Sequence, residues 1–375
     1  MCSLFLSDKG PARARQGKST RRRLEPSRVE TQRVATEAYA ESRGSSASAS
    51  LAGVVADLIY DRLDTSRADG TMETYATGLN SYLKICAENR IRPYPVTESK
   101  LVAYASLVHE THEILAETAR NYINGVVFHC KLNGLKDPRG DGTMLSLVLQ
   151  GSRRLDHQDG YQKRTRFGLS GKQLATLISK LDLSDFRAAR FAAYASVSYF
   201  GGFRANELVK TKAGIRCRWG DFDFRDGSRD KSYFILKQRD AKMKQFGPTY
   251  NITLVRTGKI NCPYALLQNY RNFFDEASVD EYAPGFMDLD GNPYTYKSAL
   301  KDVRFYLPAY AFIGEDGMDF GTHSFRIGLA TEASIIELPD SAVKLLGRWD
   351  SNCFQIYMLT PPEKIAEFAA RLSGV

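Results

Sequence analysis

From about Leu51 to Leu149 the apolar residues recur three and four apart, as in Tyr75, Leu79, Tyr82 and Leu83, then Leu101, Val102, Ala105, Leu107 and Val108. That is the period of helices that each bury one face. Tyr122, Val126 and His129 carry the rhythm into another amphipathic stretch, Pro93 and Pro95 break the chain between two helices, and Thr97-Glu98 opens the next. Residues 51–150 are therefore expected to form a helical bundle. Between residues 151 and 168 the apolar period disappears; glycines stand at both ends, with Arg153, Arg154, Lys163, Arg164 and Arg166 between them. The stretch reads as a basic interdomain linker, either a solvated loop or a strap along a phosphate backbone.

A second domain, residues 169–375, opens at Leu169-Ser170, where Ser170 can cap a helix carrying Leu174, Leu177, Ile178 and Leu181. A long helix follows from Phe186 to Tyr199 and stops at Gly201-Gly202. The pattern then alternates, predicting short strands over 219–224, 233–236 and 250–255. Asp226-Gly227 suits the first turn, and a long loop over 238–248 separates the second and third strands. Helical spacing returns at Pro263 and lasts to the end. The expected fold class is mainly α with one small antiparallel sheet: a helical domain followed by an α+β domain.

Composition narrows the function. A chain of 375 residues, 43% hydrophobic and 25% charged, is long enough to bury a core without staples and too apolar for wholesale disorder. Its six cysteines are scattered with no C-x-x-C pair, so they read as reduced, mostly buried thiols. No apolar run approaches the ~18 residues of a membrane span, and Leu4-Phe5-Leu6 is too short for a signal-peptide core. A soluble protein with no membrane partner is expected. Lys and Arg outnumber acidic residues 52 to 43, a net charge of +9. That balance favours a polyanion, nucleic acid first, although colloidal solubility alone can select it. Arginines crowd residues 1–50, including Arg13, Arg15 and Arg21-Arg22-Arg23, in a stretch poor in large apolar residues. This is expected to be a basic disordered arm, a nuclear address if the host is eukaryotic; otherwise the protein belongs with the cytoplasmic nucleoid. Gly17-Lys18-Ser19-Thr20 lacks the glycine spacing and preceding strand of a phosphate loop, which discards ATP binding. His109, His112 and His129 read as helix-surface or core residues rather than ligands.

Four separated pieces of the second domain place polar residues where their surroundings are apolar. Arg204 and Glu207 lie three apart at a helix start and share a face, which alone could be a local ion pair. Lys242 and Lys244 occupy the loop at the tip of the strand pair. His323 and Arg326 are again three apart at a helix start, where backbone N–H groups and the helix dipole suit a phosphate. Leu345-Leu346-Gly347-Arg348-Trp349 reads as a helix end closed by glycine, followed by a short helix over 351–359 presenting Tyr357.

This ordered set resembles the tyrosine recombinases, the superfamily of phage integrases and Xer recombinases. The interval of nine from Arg348 to Tyr357 is the one these enzymes keep between a histidine or tryptophan and the nucleophile. Gly347-Arg348-Trp349 and the Lys242 loop look most like recombinases of the Crypton and DIRS mobile elements. The resemblance implies a SAM-like core-binding domain at 51–150 and a catalytic domain at 169–375. It implies a double-stranded DNA partner, with Arg204, Glu207, Lys242, His323, Arg326, Arg348 and Tyr357 catalytic. Arg153, Arg154, Lys163, Arg164, Arg166, Lys244 and Trp349 are expected to touch DNA. Arg348 departs from the family pattern, because a guanidinium donates to phosphate but accepts no proton.

Attack on a phosphodiester spreads negative charge over two nonbridging oxygens, for which Arg204 and Arg326 serve as bidentate clamps and Glu207 holds Arg204. A phenol of pKa ~10 must lose its proton during attack, and Lys242 would protonate the leaving 5′ oxygen. A 3′-phosphotyrosine conserves the bond energy, so no cofactor, metal or ATP is implied. Exchange on paired sites would pass through a Holliday junction in a homotetramer, assembled from monomers or dimers in solution. Two alternatives stand beside this reading: a type IB topoisomerase that relaxes DNA without partner sites, and a decayed element protein that binds DNA without cutting.

Overall fold

The computed structural model describes residues 56–59, 62–63, 66–67, 69–161, 167–212, 214–227, 232–238, 250–309, 320–349 and 351–357. The chain divides into two compact units, with the boundary between residues 162 and 163. The basic arm of residues 1–50, the strand-tip loop with Lys242 and Lys244, and Lys163, Arg164 and Arg166 lie outside the described residues.

The first unit is built on helices α1 (Asp69–Glu88), α2 (Glu98–His112), α3 (Ala116–Leu132) and α4 (Thr143–Gln158). Thr97 caps α2, its hydroxyl accepting from the Lys100 N–H. The apolar stripes meet in a core of Met72, Tyr82, Leu101, Tyr104, Val108, Ile123, Val126 and Leu145. Helices α1 and α3 cross closely because glycines face each other's partner: a Cβ at Gly78 would stand 2.5 Å from the Tyr122 backbone, and one at Gly125 2.5 Å from that of Tyr75. Tyr82 and Tyr104 are buried with their hydroxyls donated to the Pro93 carbonyl and to Ser81.

Residues 151–158, expected to begin a linker, instead continue α4. Leu149 and Ser152 are buried in the bundle, and Asp156 accepts from the Ala116 N–H and pairs with His109 Nε2 at 2.9 Å. Arg153 and Arg154 are good helix formers, so their charge marks an exposed helix face rather than a break. Histidines serve contacts between elements, His112 reaching Glu88 and His129 Nε2 meeting the Tyr94 hydroxyl at 3.2 Å.

In the second unit Ser170 and Gln173 form a capping box at the start of α5 (Gly171–Ser179). Helix α6 (Phe186–Phe200) is apolar on nearly every face and runs through the core, with α8 (Pro263–Arg271) and α10 (Ser324–Ile335) against it. Between them come the short α7 (Ala205–Leu208) and an antiparallel sheet ordered β1 (Phe222–Arg225), β2 (Tyr233–Gln238), β3 (Tyr250–Val255). Phe222 pairs with Leu236 and Phe234 with Leu254, which stacks their side chains on the core face. Trp219–Asp221, expected as strand, is a 3-10 turn, because Trp219 and Gly220 donate to the Ala283 and Glu281 carbonyls and Asp221 caps the Arg218 N–H. Helix α9 (Tyr296–Ala309) packs against α7.

Helix α10 ends at Ile335, short of Pro339. Leu338 N–H bonds the Ala333 carbonyl and Glu337 N–H the Ser334 carbonyl, with Glu337 at φ 58°, the hydrogen-bond pattern of a Schellman stop. Helix α11 (Asp340–Gly347) does not end on a left-handed glycine: Gly347 is still helical, packed beneath the Trp349 ring, and Arg348 takes the left-handed conformation at φ 55°. The segment expected as a helix over 351–359 is a 3-10 helix, Asn352–Tyr357. Cys86, Cys130, Cys217 and Cys262 are free and buried. Among the described residues no helix is long and apolar enough to cross a membrane.

Candidate active site

The site begins where α6 stops. Gly202 adopts φ 54°, and a Cβ there would meet Leu329 Cδ2 at 2.8 Å and Gly347 Cα at 3.1 Å, so the turn fits between α10 and the end of α11 only without a side chain. The turn delivers Phe203 to the core and puts Arg204 at the N-cap of α7. One turn on, Glu207 is buried. It accepts from the Arg204 N–H through Oε2 at 2.9 Å and from Arg204 Nη1 through Oε1 at 3.2 Å.

Two further guanidiniums arrive from the far end of the sequence. Arg348 donates Nη2 to Glu207 Oε2 at 2.8 Å and Nη1 to the Gly201 carbonyl at 2.8 Å, with its plane 4.3 Å from the Phe203 ring centre. Arg326, on α10, donates Nη1 to the Gly202 carbonyl and lies 4.3 Å over the Trp349 ring. Charged groups leave water at high cost unless paired, and here carboxylate, carbonyls and aromatic faces supply that pairing. Two guanidiniums share the Glu207 carboxylate, and the third, that of Arg326, lies beside them on the Gly202 carbonyl. Arg204 keeps a quarter of its side chain exposed, at 26%, which leaves its charge accessible to an anion.

Of the residues expected at the site, the structure brings together Arg204, Glu207, Arg326 and Arg348. His323 is half-buried immediately before α10, three residues ahead of Arg326. Tyr357 ends the 3-10 segment, which packs on α10 and α11 and is anchored by fully buried Phe354 among Ala330, Ala333, Val343 and Trp349. Lys242, Lys244, Lys163, Arg164 and Arg166 fall outside the described residues. Arg153 and Arg154 belong to the first unit; both are exposed, and Arg153 pairs with Glu117. Trp349, expected to touch DNA, is 4% exposed: its ring faces Arg326 and Phe354, so an intramolecular cation–π contact replaces the surface role.

Sequence reasoning left the Gly201 and Gly202 carbonyls and the Phe203 ring without a role. Their one signal was the double glycine before Phe203-Arg204. Several tyrosines of this unit are unsuited to nucleophilic attack. Burial raises the phenols of Tyr194, Tyr199, Tyr270 and Tyr294, and burial together with the bond to Asp226 pushes Tyr264 up to about 12. The Tyr294 hydroxyl is in addition bonded to Asp302 at 2.8 Å.

The fold is that of the tyrosine recombinases. The XerH site-specific recombinase bound to palindromic difH substrate, in a post-cleavage complex, matches with a TM-score of 0.54 and 16% identity, over 80% of this chain and 79% of that one. XerH in a pre-cleavage complex matches at 0.52 and 16% over 91% and 92%, and a lambda integrase dimer bound to a COC′ core site at 0.50 and 12% over 80% and 93%. No protein-family model matches the sequence, and no curated protein does.

Proposed function

We propose that this protein is a site-specific DNA strand transferase that cuts and rejoins duplex DNA through a covalent bond to Tyr357. The observation that carries the reading is the cationic cluster of Arg204, Arg326 and Arg348 around Glu207 and the Gly201-Gly202 carbonyls, on a fold shared with DNA-bound recombinases. In this reading Arg204 and Arg326 donate to the nonbridging oxygens of the scissile phosphate, where preorganised donors have most effect on developing charge. His323, before the same helix as Arg326, faces the same anion. The Tyr357 phenol, only about 0.1% ionised at neutral pH, loses its proton as it attacks, and Lys242 protonates the departing 5′ oxygen. The resulting 3′-phosphotyrosine stores the bond for rejoining. Exchange between paired sites by a homotetramer through a Holliday junction, service to a mobile element and a nuclear location where the host is eukaryotic follow from the sequence resemblance.

The test is adduct trapping on a pool of nicked duplexes with randomised sequence. The nick lets the cut end diffuse away, so wild-type protein accumulates an SDS-resistant protein–DNA adduct. Tyr357→Phe abolishes it without weakening DNA retention. An adduct of undiminished yield in Tyr357→Phe would refute the assignment, and DNA retention by wild type without any adduct would leave a DNA-binding protein that does not cut.

A further inference from the structure

Arg348 stands where the family places a histidine or tryptophan, and its surroundings define a different task. Its side chain is 9% exposed. Nη1 bonds the Gly201 carbonyl at 2.8 Å, Nη2 bonds Glu207 Oε2 at 2.8 Å and lies 3.4 Å from the Gly202 carbonyl, and the plane rests on Phe203. Every one of these partners belongs to the turn that presents Arg204. The next residue does the same for the other guanidinium: the Trp349 ring lies beneath Arg326. The left-handed backbone at Arg348, φ 55° and ψ 50°, lets two consecutive side chains engage different arginine carriers.

Resting on the function proposed above, we infer that Arg348 and Trp349 form a positioning pair. Arg348 fixes Arg204 through Glu207 and the Gly201-Gly202 turn; Trp349 fixes Arg326. The Arg204 N–H already engages Glu207 Oε2 at 2.9 Å; a single bond leaves the carboxylate some freedom about its terminal torsion. The second cation, at 2.8 Å on the same oxygen, adds to that hold and leaves Oε1 for Arg204 Nη1. A planar fork is required, since one group must reach a carbonyl and a carboxylate while stacking on a ring. Lysine keeps the charge but loses the fork, and an imidazole has only two nitrogens, one an acceptor when neutral. Arg348 is thus a positioning residue on this account, and its effect on the phosphate passes through Arg204.

A double-mutant cycle on single-turnover cleavage of the nicked duplexes tests this, with DNA affinity and thermal melting measured alongside. Arg348→Lys is expected to slow cleavage by about 10²-fold, the scale of a small misplacement of a reacting group. Its affinity for DNA should stay within about twofold of wild type, since positioning moves the rate rather than ground-state binding. Glu207→Gln should slow cleavage similarly, and the double variant should be no slower than the slower single, because both act through Arg204. Multiplying losses in the double variant, or wild-type cleavage by Arg348→His, would overturn the inference. Should Arg348→Lys fail to fold, Trp349→Leu is the second probe: slowed cleavage with intact DNA affinity supports the pair, and unchanged cleavage overturns it. If wild-type protein forms no adduct, both this inference and the function beneath it fall, a failure seen before any variant is made and so distinct from a failed cycle.

Discussion

Asp302 and Glu207 are both buried in the second unit and paired with arginine side chains, and their surroundings differ. Asp302, on α9, accepts from Arg187 Nε and Nη2 through Oδ1 at 2.9 and 2.6 Å, lies 3.6 Å from Arg190 Nη2 and takes the Tyr294 hydroxyl on Oδ2. Arg187 and Arg190 both come from α6, one helical turn apart, and their guanidiniums rest on Phe305 at 4.8 Å and Tyr294 at 4.4 Å. That cluster joins two helices. Glu207 instead draws Arg204 and Arg348 from opposite ends of the unit, and Gly202, beside it, accepts from Arg326 as well. Its cluster ties the ends of α6, α7, α10 and α11 to one turn and adds a third guanidinium beside a helix start. Burying an ion pair does not by itself stabilise a fold. What separates the two is convergence: the Asp302 cluster joins two helices, whereas the Glu207 cluster gathers Arg204, Arg326 and Arg348 from distant parts of the chain at one turn, which is where the proposed function places the phosphate.

Breaking each cluster at one residue should therefore give opposite results. Arg204→Gln removes a partly exposed donor, so strand cleavage should fall by about 10²–10³, the loss typical of one preorganised donor, with little change in melting temperature. Asp302→Asn leaves the largely buried Arg190 and the 39% exposed Arg187 around a neutral amide; solvent reaching Arg187 reduces the penalty below that of a fully buried pair, and the melting temperature should still fall by several degrees. Below its melting transition that variant should cleave at the wild-type rate. Thermal melting by circular dichroism beside single-turnover cleavage decides the matter. If Asp302→Asn loses cleavage as deeply as Arg204→Gln, the two clusters are not functionally distinct.

The first unit sharpens the contrast, because the close crossing of α1 and α3 at Gly78 and Gly125 rests on backbone contact rather than charge. Gly78→Ala would push a methyl group into the Tyr122 backbone at 2.5 Å, and neither helix can move without disturbing the core around Tyr82 and Ile123. Overpacking of this kind costs about 1–3 kcal/mol. Denaturant unfolding should show that loss, with DNA cleavage per folded molecule unchanged.

These regions were not equally legible in the sequence. Local signals gave the helical bundle, the Ser170 cap, the three-strand sheet and the pairing of Arg204 with Glu207, because a period, a cap or an i, i+3 spacing lies within a few residues. The helical state of Gly151–Gln158 was missed because a run of charge is equally compatible with a linker and with the wet face of a helix. Trp349 was misplaced for a related reason: a tryptophan beside arginines suits a nucleic-acid surface and an internal cation–π stack alike, and only burial separates them. The bonds of Arg348 to Gly201 and Glu207 span 147 and 141 positions, beyond the reach of any local pattern.

The smallest expected effect concerns a half-buried group, His129. Its ring lies between α3 and Tyr94, with Nε2 3.2 Å from the Tyr94 hydroxyl and Nδ1 buried without a hydrogen-bond partner. Burial lowers its pKa from the usual 6.5, so the folded protein resists a proton that the unfolded chain accepts. The unfolded state then binds more protons as pH drops through about 6.5, and stability falls in that direction until the folded ring also titrates. Asp137, held by Arg139 and Lys131, is shifted down from 3.8, so its contribution is present above that pH and is lost only in stronger acid. The two groups thus act in separate windows. Between pH 7 and 5 His129 should make the wild-type melting temperature of the first unit decline. His129→Gln, which cannot titrate, should show a shallower decline over that range, while an unchanged slope would mean that the ring takes its proton in the folded unit as easily as in water.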